Sequence, residues 1–272
     1  MTPSSDLSAF ARLVMALEPW LDRIVIVGGW AHRLYRLHPH AQTLEYAPLA
    51  TLDADIAIPP ALPVEESAIR ESLRVAGFEE EFVGVDQPPA THYRLGAEQD
   101  AFYAEFLAPL VGGEYDRRGK RAVTGQVGGI TVQRLRHVGL LLDDPWQVDL
   151  DLSFVSSWRG VVQIAHPVRF LAQKLLIYSK RSRSDRAKDI LYIHDTLEVF
   201  GARLDELCAA WGTCVAPQLH QRHAAKLRKA PAVLFGDVSD EIRLAATMAT
   251  GRILTPEALR ETCQFGLQQV FT

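Results

Sequence analysis

Apolar residues recur at helical spacing near the start of the chain. Leu7, Phe10, Leu13, Val14 and Leu17 share one side of a 3.6-residue period, which predicts an amphipathic helix over residues 6–20, capped by Ser5 or Asp6. The pattern then changes. Residues 23–27 form a short β-branched run, the mark of a buried strand. Gly28-Gly29 breaks that run, and 30–37 reads as a helix. Over 52–58 apolar and acidic residues alternate, which predicts a strand with one polar face, ended by Pro59-Pro60. A helix is expected over 63–76, closed by Gly77. Further strands are expected over 91–95, 102–107, 129–135 and 146–154, with Gly112-Gly113, Gly125 and Gly128-Gly129 as loop and hairpin signals.

From Pro167 onward the period is helical, over 167–179, 185–200, 204–211, 217–228 and 256–265. Pro167, Pro217 and Pro256 stand where first-turn prolines belong. This change of pattern divides the chain near residue 165. An α/β (α+β) half of mixed sheet and flanking helices is expected over 1–165, and a helical domain over 166–272. No internal repeat or low-complexity segment interrupts either half.

Composition narrows the class. The 272 residues are 48% hydrophobic and 23% charged, which excludes a disordered or collagen-like chain. The longest apolar runs, at 24–27 and 138–142, fall far short of the ~20 residues that cross a bilayer, so no membrane association is expected. The first ten residues lack a basic stretch followed by an apolar one, so no secretory signal is read. Cys208, Cys214 and Cys263 are odd in number and lack metal-type spacing, and they read as reduced thiols in a cytoplasmic protein. The net charge of −4 is unevenly spread. Residues 166–229 hold twelve Lys/Arg against six Asp/Glu, a surplus of six that leaves the rest of the chain at −10. Such asymmetry fits an anionic ligand, and equally a solvated basic helix surface.

The sharpest local chemistry is Asp53-Ala54-Asp55 in its apolar strand. Residues two apart on a strand share a face, so both carboxylates project together. Like charges held so closely repel unless a divalent cation lies between them. Mg²⁺ takes hard oxygen ligands, usually one or two carboxylates plus substrate phosphates. The strand–Gly28-Gly29–helix sequence adds an anion-binding arrangement, since glycines admit a phosphate to the backbone at a helix N-terminus. It is neither a P-loop nor a G-x-G-x-x-G turn, and it also fits a tight turn with no ligand. A third acid would complete a metal site. Glu105 is flanked by apolar strand residues, and Asp149 and Asp151 form a second D-x-D that also fits a solvent-facing strand edge. The residues alone leave this choice open.

Taken in order, Gly28-Gly29, Thr51-Leu52-Asp53-Ala54-Asp55 and a later strand acid resemble the polymerase-β-type nucleotidyltransferase superfamily, whose signature is a G-G or G-S turn followed by D-h-D/E. Glu105-Phe106-Leu107-Ala108-Pro109 is similar to a bacterial branch with an acid-Phe-Leu-Thr-Pro segment. Pro167-Val168-Arg169-Phe170, Lys174-Leu175, Arg181 and Lys188-Asp189 resemble the helical segment of that branch and of AbiEii-like toxin nucleotidyltransferases. The resemblance covers about residues 25–200. Two departures stand out: 23 residues separate Gly29 from Asp53, and the turn is Gly-Gly-Trp with no hydroxyl for a phosphate.

The resemblance implies an Mg²⁺-dependent enzyme, with Mn²⁺ as a substitute, that moves a nucleotidyl group from an NTP to an acceptor hydroxyl by in-line displacement. Asp53 and Asp55 would hold two ions and Glu105 would join one of them. Gly28 and Gly29 would cradle phosphates, and Lys174, Arg181 and Lys188 would bind nucleotide from the helical half. Lys174 and Arg181, seven apart on a predicted helix, would share a face. A Lys–Asp pair such as Lys188-Asp189 also serves simply to tie helices together. A tRNA 3′ end or a protein hydroxyl is the favoured acceptor, a small molecule such as an aminoglycoside the alternative. The AbiEii likeness implies a toxin–antitoxin or defence setting, with an antitoxin or a second copy of the chain as partner. Two rivals are an inert nucleotide- or protein-binding module of the same fold and a metal-dependent phosphodiesterase, which usually needs more His or clustered carboxylates. The nine histidines show no zinc spacing; His137, His166 and His194 read as packing residues, as do Trp30, Tyr178 and Tyr192. Ser153 and Ser156 lack a nucleophile-elbow context.

Overall fold

The computed structural model describes residues 5–62, 68–86, 88–96, 101–115, 117–119, 121–151, 154 and 158–272. Contacts divide the chain into two compact units, one of residues 1–37 and 50–165 and the other of 38–49 and 166–272.

The first unit is built on strands β1 (Val25–Val27), β2 (Asp53–Ala57), β3 (Glu79–Val83), β4 (Ala90–Leu95), β5 (Phe102–Pro109), β6 (Thr124–Val127), β7 (Ile130–Leu135), β8 (Trp146–Leu150) and β9 (Gly160–Ile164). They form one mixed sheet in the order β3-β4-β5-β2-β1-β9-β8, with β7 also on β5 and β6 on β7. Helices α1 (Ser5–Leu17), α2 (Gly28–Leu34), α3 (Ala68–Val75) and the short α4 (Gly139–Leu142) accompany it. The apolar face of α1 is buried as its spacing predicts: Phe10, Leu13, Val14 and Leu17 are at most 2% exposed. Phe10 stacks on Trp30 of α2 at 3.9 Å between ring centroids, so Trp30 is a core residue. Asp6 pairs with Arg33, whose guanidinium lies over the Trp30 ring.

Strand β1 is buried throughout, antiparallel to β2 and parallel to β9. In β2 the alternation holds: Ala54 and Ile56 are buried, while Asp53 and Asp55 are partly exposed on the other face. Strand β5 runs parallel to β2 along its length on one edge. Its other edge is divided. Residues Phe102 to Ala104 pair with antiparallel β4, and Leu107 to Pro109 pair with parallel β7. Glu105 therefore stands where one partner strand gives way to the next.

Three strands carried no readable alternation. Strand β3 is exposed at all five positions, and cross-strand ion pairs such as Arg94–Glu81 at 3.1 Å support it in place of apolar burial. Strand β6 joins β7 through Gly128-Gly129, both at positive φ, the backbone of a two-residue hairpin. Strand β9 begins on Gly160 and lies in a stretch for which the sequence predicts no element. Helix α3 occupies part of the helix expected over 63–76; residues 63–67 lie outside the described residues, as do Ser153 and Ser156.

The second unit contains α5 (Pro167–Ile177), α6 (Arg183–Val199), α7 (Leu204–Ala210), α8 (Gln221–Phe235), α9 (Asp240–Met248) and α10 (Pro256–Val270). Side chains of His166, Ser182, His220, Ser239 and Thr255 cap α5, α6, α8, α9 and α10. Pro167 and Pro256 open their helices. Pro217 does not; it sits in the 3₁₀ turn Ala216–Gln218, and α8 starts four residues later at Gln221. Nor do Lys174 and Arg181 share a helix. Helix α5 ends at Ile177, and Arg181 is extended (φ −84°, ψ 151°) before α6. Segment 38–49 joins this unit through Tyr46, whose hydroxyl meets Glu198 and Asp195 on α6, and through Gln42, which donates to the Glu198 carbonyl at 2.6 Å.

Candidate active site

In the first unit, the parallel register of β2 and β5 sets Asp53 opposite Tyr103 and Asp55 opposite Glu105. Directly paired residues share a face and lie about 5 Å apart. Asp53, Asp55 and Glu105 thus form one carboxylate cluster, all partly exposed above a floor of buried Ala54, Ala104, Ile56 and Phe106. Tyr103 stands among them. Burial, and after it the negative fields of Asp53, Glu105 and Asp55, push its hydroxyl well above the usual phenol range. The register of β2 and β5 places Tyr103 and all three carboxylates on the same face of the sheet.

Each acid is held from the side. Asp53 accepts the Thr51 hydroxyl. Glu105 accepts from the Gln133 side-chain amide on β7 at 2.9 Å and meets His92 Nε2 on β4 at 2.8 Å. The His92 ring stacks on Tyr103 at 4.5 Å. The hydrogen bond to Glu105 raises the His92 pKa above that of a free imidazole, against the opposing effect of burial. Asp55 is opposite Val27 on its other side and lies against the strand-to-helix turn. Gly28 adopts φ +62°, and any Cβ there would overlap the Asp55 carboxylate oxygen Oδ2. Glycine is therefore required twice over, by the backbone angle and by the carboxylate. Gly29 is buried in the first turn of α2.

The other candidate third acids lie elsewhere. Asp149 is exposed on β8, three strands across and four residue rows along from Asp55, roughly 20 Å away by strand spacing. Asp151 follows the end of β8, where it is exposed and accepts the Phe154 amide at 3.2 Å.

The basic residues of the second unit have their own partners. Lys174 is buried and donates to Asp189 Oδ1 at 2.6 Å; Arg181 reaches the other oxygen at 3.2 Å. Asp189 is thus the shared anchor of two cations from different segments. Lys188 lies over the Tyr192 ring at 5.8 Å, and the buried tie to Asp189 is made by Lys174. On α6, His194, Asp195 and Glu198 bring ligand-type atoms within 4.8 Å of one another. Arg252 pairs with both of those acids and stacks on Tyr46 at 3.5 Å, which makes this an internal ion-pair network. Among the described residues the strand carboxylates do not close to that spacing.

A hard-oxygen donor set on a rigid strand pair, with glycine clearing the space for one carboxylate, fits divalent cations of the Mg²⁺ type. Sequence reasoning did not single out His92, Gln133 or Tyr103. Each sits on an expected strand, but its approach to Glu105 depends on strand pairing that the sequence does not state.

A family model described as nucleotidyltransferase matches residues 5–216, more than three quarters of the chain. The match runs through every strand of the sheet and into the helices of the second unit. No curated protein matches the chain.

Proposed function

The chain belongs to this nucleotidyltransferase family, and from that premise we propose that Asp53, Asp55 and Glu105 are its catalytic carboxylates. The observation that carries the reading is the register of β2 and β5, which sets Asp55 beside Glu105 with Asp53 on the same face. Nucleotidyltransferases generally use divalent metal ions. Here Asp53 and Asp55 would hold two ions, Mg²⁺ or Mn²⁺, and Glu105 would share one of them. Bound there, the ions supply charge neutralisation at the triphosphate and acidify the acceptor hydroxyl.

The rest falls to the chain's own groups. The acceptor oxygen forms its bond to the α-phosphorus of the NTP while the bond to the bridging oxygen breaks, and pyrophosphate leaves. Glu105 takes the acceptor proton. Gly28 and Gly29, in the first turn of α2, would cradle phosphate oxygens through their backbone N–H groups, while the space at Gly28 itself is taken by the Asp55 carboxylate. Fixed carboxylates on paired strands need no rearrangement as charge develops, which is where electrostatic catalysis gains most.

The acceptor we favour is a polymer hydroxyl, a tRNA 3′ end or a protein side chain, in a cytoplasmic toxin–antitoxin or defence setting with an antitoxin or a second copy as partner. Support comes from the likeness of the helical motifs to AbiEii-type toxins and from the basic surplus of residues 166–229. The test is label transfer. The protein is incubated with each α-³²P-NTP, Mg²⁺ and total tRNA, beside Asp53→Ala and Asp55→Ala. Label in RNA or protein that both variants lose supports the reading. Nucleotide binding with no label in any polymer points to a small-molecule acceptor or an inert module. Absence of binding overturns it.

A further inference from the structure

Strand β5 changes partner at Glu105, and each of the two partners sends one side chain to that residue. His92 comes from β4, where the antiparallel register sets it beside Glu105, and Gln133 comes from β7. His92 Nε2 lies 2.8 Å from Oε1 and Gln133 Nε2 lies 2.9 Å from Oε2, so both oxygens of one carboxylate are addressed from two strands. The imidazole is itself braced by its stack on Tyr103, and Glu81 on β3 lies opposite it in register. A glutamate has three side-chain torsions and no rigidity of its own. Two donors at its two oxygens fix the carboxylate plane and leave it further lone pairs for other partners.

Resting on the functional reading above, we propose that His92 is the positioning residue of this site, and that with Gln133 it locks the Glu105 carboxylate in the orientation that takes the acceptor proton. Asp53 and Asp55 do not depend on this lock. Its loss therefore slows the transfer step and leaves NTP recognition in place. Partners of a ligand that fix its orientation typically change metal affinity or activity by about 10- to 100-fold when removed. His92 dominates because its ring is fixed by stacking, whereas Gln133 hangs on a flexible stem.

The experiment compares His92→Leu, which keeps bulk against Tyr103 and removes the donor, with His92→Gln, which restores a neutral donor. Asp53→Asn runs alongside. Two readouts are taken on the full chain: steady-state kinetics of NMP transfer, and Mn²⁺ binding followed by the electron paramagnetic resonance of the free ion. His92→Leu is expected to lower kcat by about tenfold or more with the KM for NTP within about twofold, and to weaken Mn²⁺ binding by about tenfold. His92→Gln should recover most of both, and Gln133→Leu should show a smaller loss of the same kind. Equal falls in His92→Leu and His92→Gln would overturn the lock, because a structural ring and not a donor would then matter. A normal kcat in His92→Leu beside an inactive Asp53→Asn would overturn the lock and leave the functional reading standing. Unchanged transfer and Mn²⁺ binding in Asp53→Asn, or no Mn²⁺ binding by the unsubstituted protein, would overturn both.

Discussion

In the helical unit Asp189 lies between the Lys174 ammonium and the Arg181 guanidinium, and Asp195 and Glu198 share Arg252. On the sheet, Glu105 is held by an imidazole and an amide, and Asp53 by a hydroxyl. The two regions hold carboxylates for different ends. A cation at hydrogen-bond distance fixes both the place and the charge of a carboxylate, and the result is a cross-brace between segments. Hydroxyl and amide donors fix the place and add no positive charge, and the imidazole on Glu105, with its pKa raised by that hydrogen bond, is a partner whose charge depends on pH. Acidic residues of the same types are thus cross-braced by cations in one unit and held by a hydroxyl, an amide and an imidazole in the other.

The sharpest way to break this contrast is to neutralise one acid in each region. Asp53→Asn is expected to lower transfer about 10³-fold or more, the scale of losing a preorganised charge partner, while the melting temperature stays level or rises. Asp189→Ala should do the reverse in kind. Its side chain is 1% exposed and that of Lys174 is 9%, so the substitution strands a buried ammonium and should cost about 3–5 kcal/mol of stability in urea unfolding. A paired Lys174→Met, Asp189→Leu replacement should restore most of that loss, because no buried ammonium is left alone and Arg181, whose side chain is 36% exposed, keeps solvent and Asp185. If Asp53→Asn destabilises as strongly as Asp189→Ala, the contrast fails.

Gly28→Ala comes next in size. It forces a side chain into φ +62° and into Asp55, so it should cost about 1–2 kcal/mol and reduce transfer along with it. An unchanged activity would show that Asp55 can move aside without consequence. The smallest effect is a pair of opposed pH slopes, measured by unfolding in chelator. His92 has its pKa raised by Glu105, so between about 6.5 and that raised value the folded chain binds more protons than the unfolded one. Its contribution to stability is full below about 6.5 and is lost as the pH climbs through the raised value. His38, in the segment that joins the helical unit, is pushed down to about 4 by burial and then by His40. There the unfolded chain takes the proton first, so stability falls as the pH drops from about 6.5 toward 4. His92→Leu should flatten the first slope and His38→Asn the second. Slopes of the same sign would contradict these environments.

Much of this was legible in the chain. The alternation at Leu52, Asp53, Ala54, Asp55 and Ile56 gave both the strand and the face of its acids, because side-chain direction in a strand follows from sequence parity alone. The apolar stripe from Phe10 to Leu17 gave α1 for the same kind of reason. Strand β3 was not legible, since three consecutive glutamates carry no period and their stability comes from arginines on other elements. The meeting of Glu105 with His92 and Gln133 was equally hidden. It depends on which strands pair and in what register, a property of the assembled sheet and not of any window of sequence. Lys174 and Arg181 show the opposite error: a correct helical spacing was carried across Ile177, where the helix ends, and the two side chains meet on Asp189 instead of lining one face.

Segment 38–49 imposes an order of events on synthesis. Tyr46 finds its partners Asp195 and Glu198 only 149 and 152 residues later in the chain. At a ribosomal pace of about 5–20 residues per second, that is a wait of roughly seven to thirty seconds after Tyr46 is made. During that interval the strands on both sides of the segment can already pair, while the segment itself has nothing to dock on. A nascent chain halted anywhere before α6 would hold it as an open loop, exposed to proteases and chaperones. Completion of α6 would supply its first partners, and Glu206 for His40 and Arg252 for Tyr46 would follow as the rest of the unit is made.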